Sequence, residues 1–424
     1  MTTSPGFDPA PDSTAVPPSV ADAVADPRLG AARVHIRDPR SGETLFTRDG
    51  EVPSPTASVM KLITCANALS VLGPEHRIET RALFGSEAGE IVVVGGGDTT
   101  LSVVPSGGAT LYPGVTHLDE LADAILAARA ADPRTANHPV TRIVLDATLF
   151  ERGEWHHTWD PAGRSPENYI PFITALQLDG DRIHPTEDDS PRTEDPVGRF
   201  GTELAALLAG PDRDPSTIEL RRGAAPADAA PLASVLSPPL AELVTFSLWT
   251  SDNALTESLA RLVALAEGDE PDFGGISRTA PAVLARLGVD PSGCLLTDGS
   301  GLSDDNRAPA AVITQLLGVA FRREHGLGEL DDRMTRSGPG GTLAQGRFSG
   351  ESAVVGGAVR AKTGYINAVH SLAGIVTTRQ GTDLAFAVFA TGELMGPPNR
   401  LAVDAAVAAL WQHGLGDASA SPSA

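Results

Sequence analysis

Of the 32 basic residues in this chain only two are lysines, Lys61 and Lys362. Arginine stays protonated in a protein, whereas a buried lysine can lose its proton and act as a base. A chain that uses arginine almost everywhere is expected to keep lysine where arginine cannot substitute. Both positions are therefore candidates for chemistry. Lys61 follows Ser58 by three residues, and positions i and i+3 share one face of a helix. That spacing brings an ammonium beside a hydroxyl. A serine becomes a nucleophile when a base takes its proton. An ordinary lysine, with a pKa of about 10.4, stays protonated; burial against Leu62 and Ile63, or a second cation nearby, favours the neutral amine. A position near a helix N-terminus would also place the negative charge developing on Ser58 at the positive end of the dipole.

Lys362 opens Lys362-Thr363-Gly364, in a segment with strand character. The lysine and threonine offer a cation and a hydroxyl to a carboxylate, and Gly364 lets the backbone approach a ligand closely. A third piece, Ser251-Asp252-Asn253, carries side chains able to relay a proton and to hold an amide. Singly each piece is common. Together, in this order and with both lysines, S-x-x-K, S-D-N and K-T-G form the signature of penicillin-binding proteins and class A β-lactamases.

These residues need elements to position them. Ala31 to Ile36 and Thr44 to Thr47 read as strands around the turn at Asp38 to Gly42. Ser58 to Leu69 reads as a helix that is apolar on nearly every side, which marks it as central and buried. From about Gly85 to Ser234 the texture changes to short strands (Ile91 to Val94, Arg142 to Leu145) and an amphipathic helix (Leu118 to Ala130), joined by Pro-, Gly- and Asp-rich connections. Leu240 to Leu265 is helical around an interruption at Ser251-Asp252-Asn253, and Pro281 to Leu287 and Ala310 to Phe321 are further helices. Ala358 to Ala361, Ser371 to Thr377 and Leu384 to Ala390 read as strands, and Ala402 to His413 closes the chain as a helix. This order implies an α/β fold: an antiparallel sheet flanked by helices, split by an inserted mixed α/β domain. The expected organisation is a disordered lead over 1–26, a main domain over 27–84 and 235–415, an insert over 85–234, and a disordered tail over 416–424. All three motifs lie outside the insert, so the chemistry is expected to be possible without it.

Composition closes off other classes. The net charge of −22 repels nucleic acid and anionic membranes. No apolar run approaches the ~20 residues that a membrane helix needs. Two cysteines, Cys65 and Cys294, make no disulfide framework, and no Cys/His cluster has zinc spacing. His156-His157 lacks a third ligand at a useful spacing, so no metal site is expected. Gly95-Gly96-Gly97-Asp98 lacks the third glycine of a dinucleotide fingerprint. The lead has neither a charged start nor an apolar core, so no signal peptide is visible in it.

The motif spacings select among families. Ser58 and Ser251 are 193 positions apart, and Ser251 and Lys362 are 111 apart. In class A β-lactamases the first gap is several-fold shorter, and a Glu follows S-D-N on a loop; Asp272 to Ser292 contains no Glu. The chain instead resembles the D-alanyl-D-alanine carboxypeptidase/endopeptidase family, the low-molecular-mass class C penicillin-binding proteins, from Gly30 to His413. Ser54 to Thr64 is similar to the family's nucleophile segment, and Asp298-Gly299-Ser300-Gly301-Leu302-Ser303 to one of its most specific blocks. Gly96 to Leu101 is similar to its G-x-G-D-P-x-L with Thr99 in place of Pro, and Trp155 to Leu176 resembles its insert segment. Gly340 to Leu343 matches the segment before K-T-G without the usual Leu-Pro lead, and Tyr365 stands where Thr is usual.

The resemblance implies a serine DD-peptidase that acts on peptidoglycan stem peptides and binds β-lactams covalently. It implies Ser58 as nucleophile, Lys61 as base and Ser251 as proton relay. Asn253, Lys362, Thr363, Gly364 and Tyr365 bind substrate, and the Lys362 charge helps keep Lys61 neutral. The backbone N–H groups of Ser58 and Tyr365 form the oxyanion hole, and no cofactor or metal is needed. Glu257, four residues past Asn253, reads as a structural hydrogen-bond partner. The substrate places the enzyme outside the cytoplasm, on the cell-wall or periplasmic side; nothing in the sequence sets an oligomeric state. Other readings of the same scaffold are a β-lactamase or esterase, or an inactive wall-binding protein.

Overall fold

The computed structural model describes residues 20–414 except Pro339 and Gln345. The chain starts with a short helix α1 (Val20–Val24) and strands β1 (Arg33–Arg37) and β2 (Thr44–Arg48). A 3₁₀ turn (Ala57–Val59) then leads into α2 (Met60–Leu72). Ten of the 13 residues of α2 are buried, as its all-round apolar sequence requires. Strands β3 (Glu79–Phe84), β4 (Glu90–Val94), β5 (Arg142–Asp146), β6 (Glu219–Arg222) and β7 (Pro231–Leu236) follow, with α3 (Leu118–Ala131) and α4 (Pro196–Ala209) between them. The chain returns through α5 (Leu240–Trp249), α6 (Asn253–Ala266), α7 (Phe273–Arg286), α8 (Ala310–Phe321) and α9 (Gly328–Arg333). It ends with β8 (Thr335–Arg336), β9 (Val359–Ile366), β10 (Val369–Thr377), β11 (Asp383–Thr391) and α10 (Pro397–His413).

Two sheets result. The first has the order β2-β1-β11-β10-β9-β8 and is antiparallel throughout. One face packs on the helical body built around α2, the other on α1 and α10. Its central strands β10 and β11 are buried on both faces and read as continuous apolar runs. The second sheet has the order β6-β5-β4-β3-β7, with β4, β5 and β6 parallel and β3 antiparallel to β4 and β7. Helices α3 and α4 cover one of its faces through a separate apolar core. The expected fold class is the one found.

The boundaries differ from expectation at three places. Residues from Val20 on belong to the fold and not to a disordered lead: α1 buries Val20, Ala23 and Val24 against α10. The expectations for residues 1–19 and 415–424 lie outside the described residues. β3 pairs with β4 and β7, so it belongs to the second sheet although it precedes residue 85. We propose that the insert runs from Glu79 to Leu236. The helix read from Pro281 starts two turns earlier, at Phe273, with Asp272 as N-cap accepting from Gly275 N–H at 2.8 Å.

Candidate active site

Ser58 lies in the 3₁₀ turn just before α2, and Lys61 in the first turn of that helix. The i, i+3 relation predicted from sequence holds across this junction. Ala57 has a φ of 45°, a left-handed conformation that costs a non-glycine residue about 1 kcal/mol or more. Neighbours hold the turn in place. A Cβ on Gly301 (φ +88°) would lie 2.0 Å from Ala57 O, and one on Gly364 would lie 2.9 Å from Ser58 N and 2.2 Å from Ser371 Oγ. Glycine at both positions lets two other segments press on the turn that carries Ser58.

Lys61 is fully buried, and its Nζ donates to Ser58 Oγ at 3.0 Å, Asn253 Oδ1 at 2.6 Å and Ser300 O at 2.8 Å. All three acceptors are uncharged. Burial pushes its pKa down to about 8, against the charges of Asp298, Glu257 and Asp252, which hold it up. When the amine is neutral it keeps two N–H donors for Asn253 and Ser300, and its lone pair faces Ser58 Oγ. The site therefore accepts both protonation states with the same heavy-atom geometry.

Ser251-Asp252-Asn253 joins α5 to α6. Ser251 adopts a φ of 61°. Asp252 is the N-cap of α6, accepting from Leu255 N–H at 2.7 Å. Asn253 Nδ2 donates to Tyr169 O at 2.9 Å, so one amide N–H fixes the side chain and leaves a second. On β9, Lys362 is fully buried and donates to Ser251 Oγ at 2.9 Å and Thr363 O at 2.8 Å. Burial, then the Lys61 charge, holds the Lys362 pKa well below the usual lysine range. Burial is thus the first cause of the depression of both lysines. Thr363 is half-buried, and Tyr365 is 54% exposed and stacks on His370 with ring centroids 4.4 Å apart. Beyond Ala361 the free edge of β9 carries no strand partner among the described residues.

The structure gives contacts to residues named from sequence and adds two, Tyr112 and Arg182, that sequence reasoning passed over. Asp298 accepts from Gly301 N–H, Ser303 N–H, Asn306 Nδ2 and Trp159 Nε1. Glu257 accepts from Gly299 N–H at 3.0 Å and Ser300 N–H at 2.7 Å, the structural role expected for it. Burial, then the Asp298 charge, pushes the Glu257 pKa up to about 7. These two buried carboxylates pin the peptide whose carbonyl meets Lys61. Trp159 and Tyr169 come from the insert, as do Tyr112 and Arg182, which bind Asp252. Although all three motifs lie outside the insert, insert residues contact Asp252, Asn253 and Asp298 directly. His156 packs edge-on against Phe273, its centroid 4.7 Å away, and Cys65 is a buried free thiol raised to about 12 by burial.

The crystal structure of penicillin binding protein 4 (dacB) from Haemophilus influenzae superposes on this chain with a TM-score of 0.72 at 19% identity, covering 93% of this chain and 99% of that one. The fold, with its three motifs, is that of the penicillin-binding serine hydrolases. The carboxypeptidase DacB of Mycolicibacterium smegmatis is 34% identical over 411 residues, 96% of this chain and 86% of that protein. A D-alanyl-D-alanine carboxypeptidase of an Actinomadura species is 28% identical over 469 residues, 90% of this chain and 82% of that protein. The chain belongs to the D-Ala-D-Ala carboxypeptidase 3 (S13) family, whose profile matches residues 17–205 and 215–413. It is a serine-type D-Ala-D-Ala carboxypeptidase, as the resemblance of its motifs implied.

Proposed function

We propose that this enzyme cleaves the terminal D-Ala-D-Ala bond of peptidoglycan stem peptides through an acyl-enzyme on Ser58, and opens peptide cross-links by the same chemistry. The observation that carries this reading is the Lys61 amine, buried and bonded to Ser58 Oγ without a carboxylate in contact. Neutral Lys61 takes the Ser58 proton as Oγ attacks the carbonyl of the penultimate D-Ala. The oxyanion is stabilised by the N–H groups of Ser58 and Tyr365, a reading supported by the close approach of β9 at Gly364 to Ser58 N. Ser251 passes the proton to the leaving amine as the C–N bond breaks. Lys362 has two N–H groups engaged by Ser251 and Thr363; an arriving carboxylate favours the charged form of the amine, whose third N–H, with the Thr363 hydroxyl, binds it. The second N–H of Asn253 holds the acyl-side amide, and the unpaired edge of β9 receives the peptide as an added strand. Water then hydrolyses the acyl-enzyme and returns the proton to Ser58.

β-Lactams are partners by the same geometry, since a strained amide next to a carboxylate matches the reacting end of the peptide; the Haemophilus protein has been crystallised with one. The substrate places the action outside the cytoplasm. Incubation with muropeptide monomers and cross-linked dimers, followed by product masses, tests the reading. Release of D-Ala from pentapeptides and conversion of dimers to monomers are expected. Penicillin is expected to add its mass to the peptide that contains Ser58, and a label elsewhere, or none, refutes the assignment.

A further inference from the structure

We infer that the inserted domain is part of the catalytic apparatus: its Arg182 and Tyr112 are positioning residues that fix the Ser251–Asn253 turn through the Asp252 carboxylate. The inference rests on the proposed roles of Ser251 and Asn253. Asp252 Oδ2 accepts from the Tyr112 hydroxyl and from Arg182 Nη2, the latter at 2.8 Å, while its Oδ1 caps α6. The Arg182 and Asp252 side chains are only 3% and 4% exposed. Burial opposes the Asp252 charge, but Arg182, the Leu255 N–H and Tyr112 overcome it and hold the carboxyl well below the usual range. The guanidinium is itself fixed by Asp179 O at 3.1 Å, Asp188 O at 3.2 Å and Asp188 Oδ1 at 3.1 Å.

The Tyr112 ring stacks on Phe246 of α5 with centroids 4.8 Å apart, and the Arg182 guanidinium lies 5.5 Å from the ring centre on Tyr112. The insert thus grips both helices that flank the turn, α5 through Phe246 and α6 through Asp252. Such a grip is needed because Ser251 sits at a φ of 61°, a conformation a serine abandons unless its surroundings impose it. If the turn relaxed, Ser251 Oγ would leave Lys362, the bond now at 2.9 Å, whereas Asn253 stays tied to Tyr169 O. The effect should fall on proton delivery more than on penicillin affinity, because Lys362 and Thr363 sit on another element and Asn253 has its own anchor in Tyr169 O.

The test uses the full chain with Tyr112→Phe, Arg182→Lys and Arg182→Met, alone and combined with Ser251→Ala. Penicillin acylation is followed by intact mass, separating the limiting rate from the dissociation constant. Tyr112→Phe keeps the ring stack and removes one oxygen, so it decides the question if Arg182→Met fails to fold. We expect the limiting rate to fall about 10-fold or more in Tyr112→Phe and further in Arg182→Met, with Arg182→Lys recovering part of the loss. The dissociation constant should change less than about 3-fold, and Tyr112→Phe should cost less than about 2-fold when Ser251 is already alanine. Unslowed acylation in both Tyr112→Phe and Arg182→Lys overturns the inference. So does an equal slowing in the Ser251→Ala background, the mark of a purely structural role. A parent chain that takes no label contradicts the proposed function itself, whereas a labelled parent with unslowed variants overturns this inference alone.

Discussion

Replacing Lys61 by arginine keeps a cation at the centre of the site and removes the only property that lysine adds there. With its pKa near 8, about one lysine in ten is neutral at pH 7 and about nine in ten at pH 9. Guanidinium, with a pKa above about 12, is never neutral in this range. General-base assistance contributes about 10²–10⁴-fold, which at about 1.36 kcal/mol per tenfold is roughly 3–5 kcal/mol of barrier. The variant should lose all of it. The larger head group must also enter a position with 0% exposure, and overpacking of that kind costs about 1–3 kcal/mol of stability. A second variant separates the two effects. Lys61→Met is close in length and uncharged, and leaves Asn253 Oδ1 and Ser300 O without the Nζ donor, at about 1–3 kcal/mol each. Intact-mass kinetics of penicillin acylation at pH 7 and pH 9 reads the rate, and circular dichroism checks that each variant is folded. The parent should acylate about tenfold faster at pH 9 than at pH 7, and both variants should be slower by at least about 10² with no such rise. Acylation by folded Lys61→Arg within a few-fold of the parent would show that Lys61 is not the base and would sink the mechanism.

Further expectations follow from neighbouring groups. Glu257→Gln removes a negative charge that raises the Lys61 pKa, so the alkaline rise in acylation should move to lower pH; a midpoint that stays or moves up contradicts the electrostatic assignment. The amide fits there, because Glu257 Oε2 is buried without a hydrogen-bond partner. Gly364→Ala places a Cβ within 2.9 Å of Ser58 N and Thr56 O. Displacing that backbone by about 1 Å should cost about 10² in acylation rate, and a near-parental rate would mean that β9 does not set the nucleophile. Lys362→Arg retains a cation for the carboxylate and should keep more activity than Lys61→Arg; side-by-side rates on penicillin that are equally low would remove the distinction between the two lysines.

The parts of the site that were legible in the sequence are those with chemically exclusive residues. Two lysines against a background of arginine marked both cations, and their neighbours in S-x-x-K and K-T-G followed. A helix with clear periodicity, such as α3, and a strand that reads as an apolar run, such as β11, were legible too. Elements at the join between the two sheets were not. β3 reads E-T-R-A-L-F with a mixed burial pattern, and its pairing with β4 and with the distant β7 assigns it to the second sheet. The start of α7 was hidden because Pro281 reads as a first-turn proline, whereas it lies inside a helix begun by the Asp272 cap. Arg182 had no local signal at all. It follows a 3₁₀ turn in which Asp179, Gly180 and Asp181 all have positive φ, so no periodicity passes through it. Nothing separates it from the other arginines until the chain is folded onto Asp252.

The placement of the carboxylates explains why the site tolerates so much buried charge. Asp252, Glu257 and Asp298 all surround Lys61, yet its Nζ meets only a hydroxyl, an amide oxygen and a peptide carbonyl. Each acid is spent on something else. Asp252 caps α6 and binds the insert, Glu257 holds the N–H groups of Gly299 and Ser300, and Asp298 holds those of Gly301 and Ser303. A carboxylate in direct contact would stabilise the ammonium and keep Lys61 charged at neutral pH. One peptide further away, the same charges orient the Ser300 carbonyl while burial keeps the amine easy to deprotonate. The acids thus build the geometry around the base without taking its proton acceptance away.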